Sequence, residues 1–432
     1  MRFKGENKMD YDVIIVGTGA AGLYCALHLP SSVRVAMLTK SDTQSSDSYL
    51  AQGGICVLRG EKDYEIFTED TLKAGHYEND RQAVDLMIRS SGTVLQELMR
   101  RGVRFQKEPD SSLAYTKEGA HSCSRIMYHK DITGREIVQT LLRAVRALTN
   151  IEIMENVTML DIIETDNTCS GLVVSDKNKR ISAIRAPVVV LCCGGLGGLY
   201  THSTNHSHIT GDAFAIALRH GIELENMNYI QMHPTALYTR EKGRRFLISE
   251  SVRGVGGLLY DKNMQRFTDE LLPRDRLSQI ILRQMETDGT DFVWEDMRPI
   301  GRDTILSHFP NIYEYCLTIG IDVLKEPIPV VPAQHYIMGG IKVNLSSQTS
   351  MTGLYACGET SCNGVHGRNR LASNSLLESL VFAQRAAQDI TFGKDSGERP
   401  YIPAPDFSRY EDQDRLFNEY RKSILNSIER MK

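Results

Sequence analysis

Val13-Ile14-Ile15-Val16-Gly17-Thr18-Gly19-Ala20-Ala21-Gly22 is the stretch that decides the fold. The apolar run from Tyr11 to Val16 reads as a buried strand, and Ala20–Leu29 reads as a helix that stops at Pro30. Between them lies a loop with the spacing G-x-G-x-x-G. In such a loop the first glycine permits the tight turn, the second lets backbone approach a pyrophosphate, and the third lets the helix pack closely on the strand. The helix N-terminus then faces phosphate charge. Val33–Thr39 supplies the next strand and completes a βαβ unit. The loop alone would serve NAD as readily as FAD. The strand ends at Thr39-Lys40, where an acid for the ribose is usual, so the 2′-OH contact departs from the simplest pattern.

Outward from this unit, helices are predicted at about Asp80–Arg101 and Gly134–Leu148, β-rich alternation at Ile151–Val174, and a buried strand at Ala186–Cys193. From about Glu225 to Pro332 the pattern changes to mixed strands and helices without a further glycine fingerprint, which predicts an inserted second domain. Gly339–Gly358 followed by a helix over Asn374–Ile390 returns to strand, turn and helix. A proline-rich linker, Pro400–Pro405, precedes one or two solvated helices in Tyr410–Lys432.

At 432 residues the chain is long enough for two or more domains. Its net charge of -4 arises from 50 basic and 54 acidic residues without a basic block, which argues against a nucleic-acid partner. No segment approaches the ~20 apolar residues of a membrane span, and Met1–Asp12 lacks the apolar core of a secretory signal. Nine scattered cysteines fit reduced thiols in a cytoplasmic enzyme, and no metal site is assigned.

Two later segments favour FAD over NAD. Val188–Gly195 is a buried strand ending in Gly194-Gly195. Thr352–Glu359 is a strand ending in a glycine and an acid, and it resembles the strand with which two-domain flavoproteins hold the ribityl part of FAD. With Ala51-Gln52-Gly53-Gly54, His233-Pro234-Thr235, Pro273-Arg274-Asp275 and Ala372-Ser373-Asn374-Ser375-Leu376-Leu377-Glu378, the chain from about Tyr11 to Ile390 resembles the succinate dehydrogenase/fumarate reductase flavoprotein family. Within that family it is most similar to the aspartate-oxidising branch.

The resemblance implies an α/β fold: a Rossmann-like FAD-binding domain (1–224 and 336–395), an inserted α+β capping domain (225–335), and a short, truncated C-terminal helical tail (400–432). It further implies cofactor contacts from Gly17, Thr18, Gly19, Ala20, Ala21, Gly22, Lys40, Asp47, Ser48, Tyr49, Leu50, Ala51, Gln52, Gly53, Gly54, Gly194, Gly195, Asp212, Glu359, Ser375 and Leu376. Asp47 stands four residues before the Ala-Gln-Gly-Gly motif, where the membrane enzymes attach FAD to a histidine, so non-covalent FAD is expected.

For the substrate, the resemblance implies Arg370 as a carboxylate fork, His233, His335 and Ser249 as further donors, and Gln231 on the same strand face as His233. Glu118 is the acid matched to the ammonium of an amino dicarboxylate; the alternative is a surface loop glutamate. Arg274 is either the proton carrier, replenished through Glu250 and Arg253, or an electrostatic clamp only. The implied activity is oxidation of L-aspartate to iminoaspartate, with reoxidation by O2 or fumarate and delivery of product to quinolinate synthase in NAD biosynthesis. A soluble fumarate reductase is the alternative.

Overall fold

The computed structural model describes residues 10–241, 243–393 and 405–431. Most of the N-terminal segment and all of the Pro400–Pro405 linker except Pro405 lie outside the described residues. At the centre is a five-stranded parallel sheet in the order Leu354–Ala356, Val188–Leu191, Val13–Val16, Val35–Thr39 and Ile151–Glu155. Val13 pairs with Val35 on one side and Val188 on the other.

The apolar runs are unbroken because both faces of the three central strands are covered. Alternate side chains sort to opposite sides of the sheet. Val13, Ile15, Val35 and Met37 join a core with helices Ala20–His28, Thr133–Arg146 and Asn374–Phe392. Ile14, Val16, Ala36 and Leu38 join a second core with the antiparallel strands Thr158–Thr165, Thr168–Ser175 and Ile181–Arg185 and helix Asp212–Arg219. The fold is thus α/β around a parallel sheet.

Residues between 230 and 337 build a separate four-stranded antiparallel sheet in the order Ile230–Leu237, Ile328–Ile337, Val293–Asp296 and Leu258–Tyr260. With helices Arg274–Asp288, Arg302–His308 and Pro310–Thr318 it encloses a third core, containing Leu277, Ile281, Val293, Ile312 and Val330. Asp131, from outside this unit, accepts the backbone N–H groups of Asn311 and Ile312 at 3.1 and 2.7 Å and so caps the start of helix Pro310–Thr318. The two sheets are therefore pinned together beside the cavity described below.

Two expectations need correction. The tail carries a short 3-10 helix, Phe407–Tyr410, and one long helix, Gln413–Arg430, which is not solvated all round. Leu416, Tyr420, Ile424 and Ile428 recur every fourth residue and bury one stripe in the second core, against helix Asp212–Arg219. Tyr420 Oη also donates to Leu160 O at 2.7 Å. The charged residues that suggested a solvated helix occupy only its outer face. In addition, helix Glu61–Ala74 was not anticipated; its first turn carries Glu61 and Asp63, but it has no side-chain cap and its apolar residues are sparse.

Ile424 is fully buried. Ile424→Ala is expected to destabilise the fold by about 2–5 kcal/mol, seen as a lower thermal unfolding midpoint.

Candidate active site

The carboxyl ends of the parallel strands converge on one elongated cavity of about 280 Å³. At one end the first strand breaks at Gly17. This residue has φ +115°, and a Cβ there would lie 2.0 Å from the carbonyl oxygen of Cys192 on the neighbouring strand, so only glycine makes the turn. A Cβ on Gly22 would similarly strike Gly17 O at 2.1 Å. The loop is held against the next segment by Ser48 Oγ, which accepts from Ala20 N at 3.2 Å.

Gly17, Thr18, Gly19, Ala21, Lys40, Asp47 through Gly54, Gly194, Asp212, Glu359, Ser375 and Leu376 all line the cavity. Ala20, Gly22 and Gly195 do not. Gly195 instead makes room for Glu359: a Cβ on Gly195 would lie 2.3 Å from Glu359 Oε1, which accepts from Ile337 N at 2.9 Å. Lys40 meets Asp212 at 2.7 Å and Thr210 at 2.9 Å, so the cation at the strand end is paired with an acid from helix Asp212–Arg219. Burial, reinforced by Asp47, pushes Glu359 up to about 8. Burial likewise raises Asp47 to about 7, against the backbone N–H of His206.

At the other end the cavity is cationic. Arg274, the first residue of helix Arg274–Asp288, donates through Nε to Glu250 Oε2 at 2.5 Å and through Nη1 to Gln231 Oε1 at 3.0 Å. Gln231 passes its amide on to Asn369 and the carbonyl of Arg370, both at 2.8 Å. Gln231 and His233 are both buried with half-buried Met232 between them, as the alternation of that strand requires, and the register shift between Gln231 and Met232 places the extra residue, His335, on the partner strand. His233 lines the cavity, whereas Gln231 stands behind it and braces the two arginines.

Arg370 is 4% exposed, lies 4.4 Å over the Tyr336 ring and donates from Nη1 to Ser375 at 3.0 Å, leaving Nε without a partner. Burial, then the charge of Arg274, lowers its pKa to about 10, so it stays protonated at neutral pH. His233 and His335 meet edge to face at 5.1 Å. Burial, with Arg274 next, holds both far below 6.5, so both are neutral hydrogen-bonding groups. His335 Nδ1 is 2.6 Å from Thr204 Oγ1, and His233 Nε2 is buried without a partner.

Burial works against the charge of Glu250, but Arg274 and Arg253 outweigh it and bring its pKa below the carboxylate range. Arg253 lies behind Glu250 at 4.0 Å, away from the cavity, and donates to Glu270 O at 2.6 Å. Ser249 lines the cavity and caps the short helix Glu250–Gly254 by accepting from Ser251 N at 3.3 Å. Glu118 is not a surface residue: it is 3% exposed, lines the cavity, and is raised in pKa by burial and by Glu250.

Sequence reasoning missed Thr204, Tyr336, Ser251 and Ser373. Tyr336 adjoins the His335 motif and so had a signal; Thr204 and Ser251 had none, because their roles exist only through contacts distant in the chain.

The fit to FAD rests on this cradle. Among the described residues Asp47 Oδ2, Gln52 Oε1, His233 Nε2 and Arg370 Nε are buried polar atoms without protein partners, distributed along the same cavity. A group that reaches from the Gly17 turn toward the arginines can satisfy them.

Residues 12–376 match the FAD binding domain family. The chain is 29% identical to the E. coli quinol fumarate reductase FrdA, with a TM-score of 0.84 over 95% of this chain and 74% of that one. Fold and site together define an FAD-dependent oxidoreductase of the succinate dehydrogenase/fumarate reductase flavoprotein class. The chain is also 49% identical to an L-aspartate oxidase of Clostridium acetobutylicum, over 88% of this chain and 87% of the relative. It is 46% identical to that of Clostridium perfringens, over 98% and 95% respectively. The chain belongs to the L-aspartate oxidase family.

An alanine forced into the Gly17 conformation carries strain of about 1–3 kcal/mol. Gly17→Ala is therefore expected to weaken FAD binding about tenfold or more, measured by titrating apoprotein and following flavin fluorescence.

Proposed function

We propose that this chain oxidises L-aspartate to iminoaspartate, with FAD reoxidised by O2 to give H2O2 or by fumarate. The observation that carries this reading is the charge arrangement at the cationic end of the cavity: the buried arginines Arg274 and Arg370, two neutral histidines, and two buried glutamates, of which Glu250 is ion-paired with Arg274 and Glu118 is not paired with an arginine. Two carboxylates and an ammonium are the complementary set. The oxidation breaks the Cα–H bond, releases protons from the substrate nitrogen and turns the Cα–N bond into C=N; FAD, when bound, would supply the acceptor for the hydride, and the chain supplies binding, orientation and proton handling.

Arg370 receives one carboxylate through its free Nε and remaining N–H groups, in the bidentate manner that lysine cannot reproduce. His233 Nε2, His335 and Ser249 donate to the carboxylates, and Glu118 accepts from the ammonium. Exclusion of water strengthens each of these contacts. Arg274 lines the pocket and is charge-balanced by Glu250 at 2.5 Å, with Arg253 next in line. This order suits a proton path from Arg274 to Glu250 to Arg253, and it equally suits a fixed clamp.

Asp47 offers no imidazole nitrogen for a covalent link, which supports dissociable FAD. The enclosing unit of residues 225–335 acts as the cap, and 1–224 with 336–395 as the FAD-binding domain. Iminoaspartate hydrolyses readily, so it must be consumed quickly, and we assign that step to quinolinate synthase in NAD formation.

Fumarate reduction is the second reading, favoured by the similarity to FrdA and by a clamp suited to any C4 dicarboxylate. The two are separated by the anaerobic spectrum of the holoenzyme. L-aspartate is expected to bleach the flavin. Bleaching by succinate and not by aspartate would replace the oxidase with the fumarate reductase. Arg274→Leu is expected to retain FAD and lose about 10²–10³-fold or more in aspartate turnover, since it removes the central charge of the pocket.

A further inference from the structure

We infer that the hydroxyls of Ser251 and Ser373 are the positioning groups that fix the Glu118 carboxylate in the pocket, and that through it they set the preference for an amino dicarboxylate over a plain one. This rests on the reading of Glu118 as the ammonium acceptor. Neither serine belongs to the set of contacts proposed above for substrate or cofactor.

The geometry is specific. Ser251 Oγ donates to Glu118 Oε1 at 2.7 Å, and Ser373 Oγ donates to Glu118 Oε2 at 2.6 Å. Each oxygen thus has one hydroxyl partner, and among the described residues no arginine or lysine pairs with either. The difference matters chemically. A glutamate locked in an ion pair with arginine has its charge already neutralised and attracts a substrate ammonium weakly. A glutamate held by two neutral donors keeps its charge, and each oxygen keeps lone-pair capacity for a further donor.

The three residues come from three separate parts of the chain. Glu118 lies in the loop after residue 116, Ser251 in helix Glu250–Gly254, and Ser373 directly precedes helix Asn374–Phe392. Ser373 has φ +62°, a left-handed conformation unusual for a residue with a side chain, and from it the hydroxyl meets Glu118. The loop has no slack to compensate for a lost contact. A Cβ on Gly119 would lie 2.4 Å from Glu250 Oε1, and a Cβ on Gly53 would lie 2.4 Å from Glu118 Oε1. The carboxylate is wedged between the Ala51–Gly54 turn and the Glu250 helix, and the two hydroxyls set its final orientation.

Three ionisable groups face Glu118. Glu250 opposes its ionisation and Arg274 favours it. Cys56 lies nearby as a neutral thiol, its pKa pushed up by burial. Burial raises the pKa of Glu118, whereas both serines stabilise its anion. Loss of one hydroxyl therefore raises the pKa further, and the charged form disappears at a higher pH.

Ser251 does not line the cavity, so it cannot touch substrate and gives the cleaner test. In the FAD-loaded enzyme, Ser251→Ala is expected to raise the ratio of the aspartate KM to the succinate Kd about tenfold, the effect of one lost hydrogen bond to a charged group. The acid limb of aspartate kcat/KM is expected to move to higher pH. Ser251→Thr, which keeps a hydroxyl, is expected to restore both, with FAD content and unfolding midpoint reporting folding. Glu118→Gln is the control. If Glu118→Gln raises the ratio and Ser251→Ala leaves both ratio and acid limb unchanged, the inference is overturned. It is also overturned if Ser251→Ala weakens aspartate and succinate equally, since that is a packing defect. If Glu118→Gln itself leaves the ratio unchanged, the underlying reading of Glu118 fails.

Discussion

A charge is held in a protein interior only where an opposite charge is buried beside it, and the Arg274–Glu250 pair is the interaction on which the cationic end of the cavity depends. Both partners are nearly inaccessible, and an uncompensated charge at either position would cost roughly 3–5 kcal/mol. The pair is stabilised on every side. Gln231 braces Arg274, Arg253 lies behind Glu250, and Gln231 also reaches the backbone of Arg370. Because Gln231 and Arg274 belong to the 230–337 unit while Arg370 belongs to the segment that leads into helix Asn374–Phe392, this network also ties the two parts of the protein across the cavity.

The opposite end of the cavity follows a different electrostatic rule. There the carboxyls of Asp47 and Glu359, raised to about 7 and about 8 by burial, approach neutrality instead of finding cations. Lys40 is already paired with Asp212. Hydrogen-bonding groups and helix termini at this end suit a flavin and its phosphates, and the fixed positive charge at the other suits a carboxylate ligand. The parallel sheet makes this separation possible. The strands Val13–Val16, Val188–Leu191 and Leu354–Ala356 are wholly apolar, so their polar neighbours begin beyond the strand ends, in the turns that carry Gly17, Gly194 and Gly358.

Glu118 departs from the rule of the cationic end. It is an acid placed among arginines yet bonded to hydroxyls, and burial, then its closeness to Glu250, raises its pKa. Two acids thus share the pocket in different states: Glu250 is fixed as an anion by arginine, and Glu118 is poised by serine. That division lets one pocket hold a dianion and still discriminate at the position beside it.

The sequence by itself determined the parallel sheet, the glycine turn, the class of cofactor and about half of the residues that line the cavity. These signals are local: an apolar run gives a strand, a glycine spacing gives a turn, and short motifs carry His233, Arg274 and Arg370. It misread the tail helix, because charged residues on one face masked a buried stripe at every fourth position. Only the tertiary structure decided what holds the functional groups in place. Thr204 against His335, Tyr336 under Arg370, and Ser251 and Ser373 on Glu118 are pairings made across the fold, and the latter two join residues 133 and 255 positions apart. No periodicity or motif encodes a contact of that kind, because it depends on how three cores pack around a shared cavity.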